Sequence, residues 1–127
     1  MLRNILVTGG NGQLGQSLKT LTEKNSDYNF IFVDKEEAEL TDNKAISRLF
    51  ETNSLYAVLH FAAYTAVDKA ESETSLCKAI NTDATATIAR LCETYSTKLL
   101  VISTDFVFDG SKTTPYLPSD KPNPLSV

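Results

Sequence analysis

Tryptophan is absent from the 127-residue sequence, histidine and methionine occur once each, and there are two cysteines. Cys77 and Cys92 fall on one expected helix, about 22 Å apart along its axis at roughly 1.5 Å per residue, too far to bridge within a straight helix. Without a Cys-x-x-Cys spacing, and with His60 as the lone imidazole, no metal site is expected within the chain. A reduced, cytoplasmic protein is the expectation. Long hydrophobic runs are missing too. No apolar stretch approaches the roughly 20 residues that cross a bilayer, so neither membrane insertion nor secretion is expected. Positive charge is scarce, with 12 basic against 16 acidic residues, a net charge of −4 and a pI near 4.9. That balance lacks the broad positive field of nucleic-acid binders. Proline is confined to Pro115, Pro118, Pro122 and Pro124, which marks the end of the chain as loop.

What is present is a globular composition. Hydrophobic residues make up 42%, and the five glycines bring the total near the 45–50% or so usual for folded domains. The length suits one domain, expected over residues 1–127. Short β-branched runs alternate with longer helical patterns, which is the signature of βαβ units around a parallel sheet. Strands are expected at Ile5-Leu6-Val7, Asn29 to Asp34, Ala57 to Ala62 and Leu99 to Ile102. Between them lie three helices: one carrying Leu14, Leu18 and Leu21, one capped by Thr41 or Asp42 and burying Ile46, Leu49 and Phe50, and one running unbroken from about Ser72 to Tyr95. The predicted fold is α/β: a doubly wound parallel sheet of Rossmann type with about five strands, its ligand at the C-terminal ends of the first and fourth. A sheet that stops in a proline-rich loop leaves a strand uncovered, so the chain is expected to be a truncated part of a larger protein.

The segment Thr8-Gly9-Gly10-Asn11-Gly12-Gln13-Leu14-Gly15 sits after the first strand and opens the first helix, where a dinucleotide fingerprint belongs. Gly10-x-Gly12-x-x-Gly15 fits one spacing of that fingerprint, and Gly9-x-x-Gly12-x-x-Gly15 fits the wider one. In either, one glycine makes the tight turn, the middle one admits backbone close to a pyrophosphate, and the last lets helix pack on strand. The pyrophosphate would rest on the helix N-terminus. Asp34, at the end of the second strand, is placed to take ribose hydroxyls, which favours NADH; Lys35 beside it suits a 2′-phosphate and keeps NADPH open. His60 reads as a core histidine bonded to a neighbour. Cys77 and Cys92 read as helix core, and Glu36, Glu37 and Glu39 as a solvated loop.

Three further segments carry a resemblance: His60 to Glu71 (HFAAYTAVDKAE), Asn81, and Ser103 to Gly110 (STDFVFDG). With the glycine loop, they resemble the dTDP-4-dehydrorhamnose reductases, extended short-chain dehydrogenases that reduce the 4-keto group of dTDP-4-dehydro-L-rhamnose in dTDP-L-rhamnose biosynthesis. The resemblance implies that Gly9, Gly10, Asn11, Gly12, Gln13, Leu14, Gly15 and Asp34 bind NADPH or NADH. It implies that Asp42 meets adenine and that Ala62, Ala63 and Tyr64 lie along the cofactor. Thr65, Val67, Asp68, Asp105 and Phe106 fall on the side of the dTDP-sugar substrate. Thr104 matches the catalytic Ser/Thr that polarises the substrate carbonyl, and Asn81 a supporting amide beneath the site. Phe106 stands where many relatives have tyrosine.

A Tyr-x-x-x-Lys pair is implied directly after Val127, so this pair, the sugar-closing portion and any magnesium ligands are expected outside these residues, and the chain alone is expected to be inactive. A homodimer is an expectation for the longer protein. Two other readings share these motifs: a non-catalytic regulatory subunit like that of methionine adenosyltransferase, and a sugar-nucleotide epimerase or dehydratase.

Overall fold

The computed structural model describes residues 2–22 and 27–127. Its sheet has four parallel strands, β1 (Arg3–Thr8), β2 (Tyr28–Val33), β3 (Leu55–His60) and β4 (Lys98–Val101), in the order β2-β1-β3-β4. The expected fold class therefore holds with four strands among the described residues instead of about five. Five helical segments accompany the sheet: α1 (Gln13–Thr22), α2 (Asn43–Thr52), α3 (Val67–Ala70), α4 (Thr74–Lys78) and α5 (Ala84–Thr94).

The strand order locates the site. From β1 the chain steps to β2 on one side, then crosses back over β1 to reach β3 on the other. Right-handed crossovers in opposite directions must lie on opposite faces of the sheet. Accordingly, one face of the sheet (Leu6, Val33 and Val58) packs against Ile46 and Phe50 of α2 and Ala84, Ile88 and Cys92 of α5. Burying each large side chain there contributes roughly 1.5–3 kcal/mol. The alternate residues of β2 face the other way, where Lys19 of α1 lies 5.2 Å from the Phe32 ring centre. The reversal in strand order, and with it the ligand crevice, falls between β1 and β3. This corrects the expectation of the first and fourth strands, because β3 intervenes between them.

Two helices carry features that periodicity does not specify. The leucines of α1 do not form a buried stripe: Leu14 is 48% and Leu21 68% exposed, and only Gly15 of that helix is buried. The expected helix from about Ser72 to Tyr95 is present as an unbroken helical run from Thr74 to Thr94, in which a π turn at Ala79–Asp83 joins α4 to α5, its wider spacing appearing as a bond from the Ala84 amide to the Ala79 carbonyl.

Asp42 caps α2, its Oδ1 accepting from the Lys44 and Ala45 amides at 2.9 and 3.3 Å. Helix α5 ends in a Schellman pattern, with the Ser96 amide donating to the Glu93 carbonyl at 3.2 Å and the Thr97 amide to the Cys92 carbonyl at 2.8 Å. Ser96 holds a left-handed φ of 53° in a position that favours glycine. Ser96→Gly is expected to stabilise the fold by about 0.5–1 kcal/mol, read as a rise of a few degrees in Tm. An unchanged or lower Tm would contradict that reading of the turn.

Candidate functional site

A cleft of about 1160 Å³ opens at the C-terminal ends of the strands, between the turn after β1 and the segments after β2, β3 and β4. The turn after β1 resolves which glycine spacing applies. Gly9 has φ +69°, and a Cβ there would lie 2.7 Å from the Ala62 nitrogen, so glycine is required both by the turn and by the close approach of the β3 end. Gly10 is buried and bonds its amide to the Val33 carbonyl at 3.1 Å, tying the turn to β2. Gly9 and Gly12 line the cleft and Gly10 does not, so the wider spacing Gly9-x-x-Gly12-x-x-Gly15 describes the turn. The Gln16 amide closes on the Gly12 carbonyl at 2.9 Å, which starts α1 at the cleft wall beside Gln13 and Leu14.

Asp34 lines the cleft at the end of β2. Its Oδ2 accepts from the Asn11 amide at 2.9 Å and its Oδ1 from the Lys35 amide at 3.0 Å. The acid thus braces the glycine turn while each oxygen keeps a free lone pair for a ribose hydroxyl.

After β3, Ala62, Ala63, Tyr64, Thr65 and Val67 line the cleft. The Asn81 side chain, carried by the π turn, holds this segment at two points: its Oδ1 accepts from the Tyr64 amide at 2.8 Å and its Nδ2 donates to the Tyr64 carbonyl at 3.0 Å. The expected supporting role of Asn81 is thereby given a geometry. The Tyr64 phenol donates to Glu73 Oε2 at 2.5 Å. This bond to a carboxylate, with burial secondary, pushes the phenol pKa up to about 12, so Tyr64 stays neutral as a wall of the cleft. Glu73 was not a sequence candidate; its position nine residues after Tyr64 carries no motif.

His60 is 3% exposed, and burial pushes its pKa below the usual imidazole value of 6.5. Its Nδ1 lies 2.7 Å from Thr8 Oγ1 and its Nε2 3.2 Å from Thr85 Oγ1. A histidine kept neutral by the fold gains its proton first in the unfolded chain. Its contribution to stability is therefore complete above about pH 6.5 and is lost as pH falls from there through the folded pKa. Melting temperatures are expected to decline between pH 7 and 5.5, and less steeply in His60→Asn; identical slopes would contradict the assignment.

Beyond β4, Thr104 Oγ1 accepts from the Phe106 amide at 3.2 Å and donates to Asp105 Oδ1 at 3.2 Å, opening a short 3-10 turn at Asp105–Val107. Thr104 and the 56%-exposed Phe106 line the cleft. The loop behind them is organised by Asp109, which accepts from Ser111, Tyr116 and Asn123, bonds that hold its carboxyl well below the usual carboxylate range. The Tyr116 ring stacks on Phe108 with centres 4.2 Å apart. This network gives the Asp-Gly turn signal a role that the sequence pattern did not reveal. The end of the chain returns to the cleft, the Val127 amide donating to Glu71 Oε1 at 2.9 Å.

Most sequence-stated candidates are thus brought together, but six are not. Gly10, Asn11, Gly15, Asp42, Asp68 and Asp105 do not line the cleft. Asp42 is turned to its capping duty, Asn11 to Asp34, and Gly15 to close packing, where a Cβ would meet the Gly9 and Gly10 carbonyl oxygens at 2.5 Å. Among the described residues, no group of three or more His, Cys, Asp or Glu side chains could hold a metal ion, and no helix is long and apolar enough to cross a membrane.

Comparison with known proteins agrees with this geometry. The dTDP-4-dehydrorhamnose reductase of Aggregatibacter actinomycetemcomitans is 32% identical over 126 residues, 99% of this chain and 43% of that protein. The crystal structure of dTDP-4-dehydrorhamnose reductase from Bacillus anthracis in complex with NADP is 31% identical, with a TM-score of 0.91 over 99% of this chain and 44% of that one. Methionine adenosyltransferase 2 subunit beta of Danio rerio is 33% identical over 132 residues, 98% of this chain and 40% of that protein. The chain spans about two fifths of the length of these relatives. A family model described as RmlD substrate binding domain matches residues 3–127, and the chain belongs to that family.

Proposed function

We propose that the chain is the dinucleotide-binding part of a cytoplasmic dTDP-4-dehydrorhamnose reductase, holding NADPH or NADH for reduction of the 4-keto group of a dTDP-sugar. The observation that carries this reading is the Gly9 to Leu14 turn, set against Ala62 at the reversal in strand order, with Asp34 at the neighbouring strand end. The donor set fits the group. An α-helix leaves its first N–H groups without intrahelical partners, which suits a pyrophosphate at the start of α1. A Cβ on Gly12 would have only the Gly9 carbonyl oxygen near it, at 3.3 Å, so the outer side of this turn is open to a ligand. Asp34 would take ribose hydroxyls, and Tyr64, held neutral by Glu73, would supply an uncharged wall. When bound, the nicotinamide supplies hydride. Thr104 would hold the carbonyl oxygen on which negative charge develops, by turning its one hydroxyl proton from Asp105 Oδ1 to that oxygen.

Calorimetric titration of the chain with each nucleotide tests the reading, with one-to-one binding of at least one expected; no binding of either at millimolar concentration would sink it. In a reductase-length protein containing this chain, Thr104→Val is expected to lower kcat about 10²–10³-fold, the usual cost of losing one oxyanion donor. Nucleotide affinity should change less than about twofold, and Thr104→Ser should restore turnover. Equal losses in kcat and affinity would contradict the role.

A second reading, a dinucleotide-binding subunit without chemistry of its own, is favoured by the identity to methionine adenosyltransferase 2 subunit beta. It predicts nucleotide binding with no effect of Thr104→Val on any hydride transfer.

A further inference from the structure

We propose that His60 is a positioning residue, held as the neutral Nε2–H tautomer, whose directed hydrogen-bond chain from the Ala62 amide to the Asn81 carbonyl locks the floor of the cleft together. The inference rests on the reading of that cleft as a dinucleotide site. The direction follows from counting protons. Thr85 has one hydroxyl proton and donates it to the Asn81 carbonyl at 2.9 Å, so its 3.2 Å contact with His60 must be a bond donated by Nε2–H. A neutral imidazole protonated there presents a lone pair at Nδ1, which accepts the Thr8 hydroxyl proton across 2.7 Å. Thr8 Oγ1 in turn accepts from the Ala62 amide at 3.3 Å. Reversing the tautomer would leave the Thr8 proton without an acceptor and would draw the Thr85 proton away from Asn81. An imidazolium would set a second N–H against the Thr8 hydroxyl proton.

The chain joins the parts that shape the cleft. Thr8 ends β1 and precedes Gly9, Ala62 presses against Gly9, and Asn81 holds both backbone groups of Tyr64. Burial alone accounts for the lowered pKa of His60, with no charged group contributing. The titratable groups that line the same cleft are Asp34 and Lys35 after β2, Glu39 before α2, Tyr64 after β3 and Cys77 on α4; the hydrogen bonds of His60 go to Thr8 and Thr85.

His60 is the only histidine in the sequence, so the imidazole signals of 15N-labelled protein belong to it without ambiguity. Long-range proton–nitrogen correlation at pH 7.5 is expected to show a neutral ring protonated at Nε2; an Nδ1–H or doubly protonated ring would overturn the proposal. Thr85→Val is expected to disturb that tautomer and weaken NADPH binding about tenfold, while Thr85→Ser keeps both near wild type. Affinity unchanged in Thr85→Val, or lost equally in Thr85→Ser, would overturn the positioning role. A wild-type chain that binds neither nucleotide overturns the dinucleotide reading together with this one. A wild-type chain that binds but shows the reversed tautomer overturns this one alone.

Discussion

Gly9→Ala is expected to destabilise the fold by about 2–5 kcal/mol and to abolish measurable dinucleotide binding. Two costs combine. A left-handed φ of +69° costs an L residue about 1–2 kcal/mol, and a Cβ placed 2.7 Å from the Ala62 nitrogen and 2.9 Å from its Cα meets backbone that cannot rotate away. Overpacking of that kind typically adds about 1–3 kcal/mol. For a chain of this length the sum should lower Tm by roughly 8–20 °C. Relief of the clash would push the β1 turn away from the end of β3, moving the two walls of the cleft apart. Thermal melting and nucleotide titration of the same variant check both halves. A variant with wild-type Tm and affinity would mean that the approach of Gly9 to Ala62 has been misread.

Gly12→Val separates binding from folding. The position has no left-handed requirement, and its nearest neighbour to a new Cβ is the Gly9 carbonyl oxygen at 3.3 Å, a contact that a small shift relieves. Stability should fall by less than about 2 kcal/mol, near the low end of overpacking costs. Binding should fall at least a hundredfold, because a branched side chain would stand where the backbone must approach a pyrophosphate at the start of α1. Calorimetry gives the affinity and melting the stability. Affinity within threefold of wild type would remove the glycine turn from the site.

The contrast between these two positions also shows what the sequence made legible. The glycine run, the acid ending the second strand and the Ala62 to Tyr64 segment were readable because each is local: a backbone angle, a strand end or a contiguous motif. The choice between two glycine spacings was not, since it turned on Gly9 meeting Ala62, a contact across 53 positions of sequence. The π turn at Ala79–Asp83 was invisible for a related reason. It contains neither proline nor glycine to mark it, and the widened turn shows itself through Asn81 reaching the Tyr64 backbone. Periodicity placed Leu14, Leu18 and Leu21 on a helix, which α1 bears out, yet Leu14 and Leu21 are exposed, because a 3.6-residue repeat reports a helix and not what covers it. Asp42 was legible twice, as a cap and by resemblance as an adenine contact, and the geometry shows the cap.

The central claim is that this cleft, at the ends of β1 and β3, takes the dinucleotide. Amide chemical-shift mapping of the 15N-labelled chain during titration with NADPH, and separately NADH, tests it most directly. The account predicts that the largest changes fall on Gly9, Gly12, Gln13, Leu14, Asp34 and the Ala62 to Tyr64 segment, with the opposite end of the sheet, around Arg3, Tyr56 and Lys98, unmoved. Changes centred on that opposite end, or none at saturating nucleotide, would contradict it.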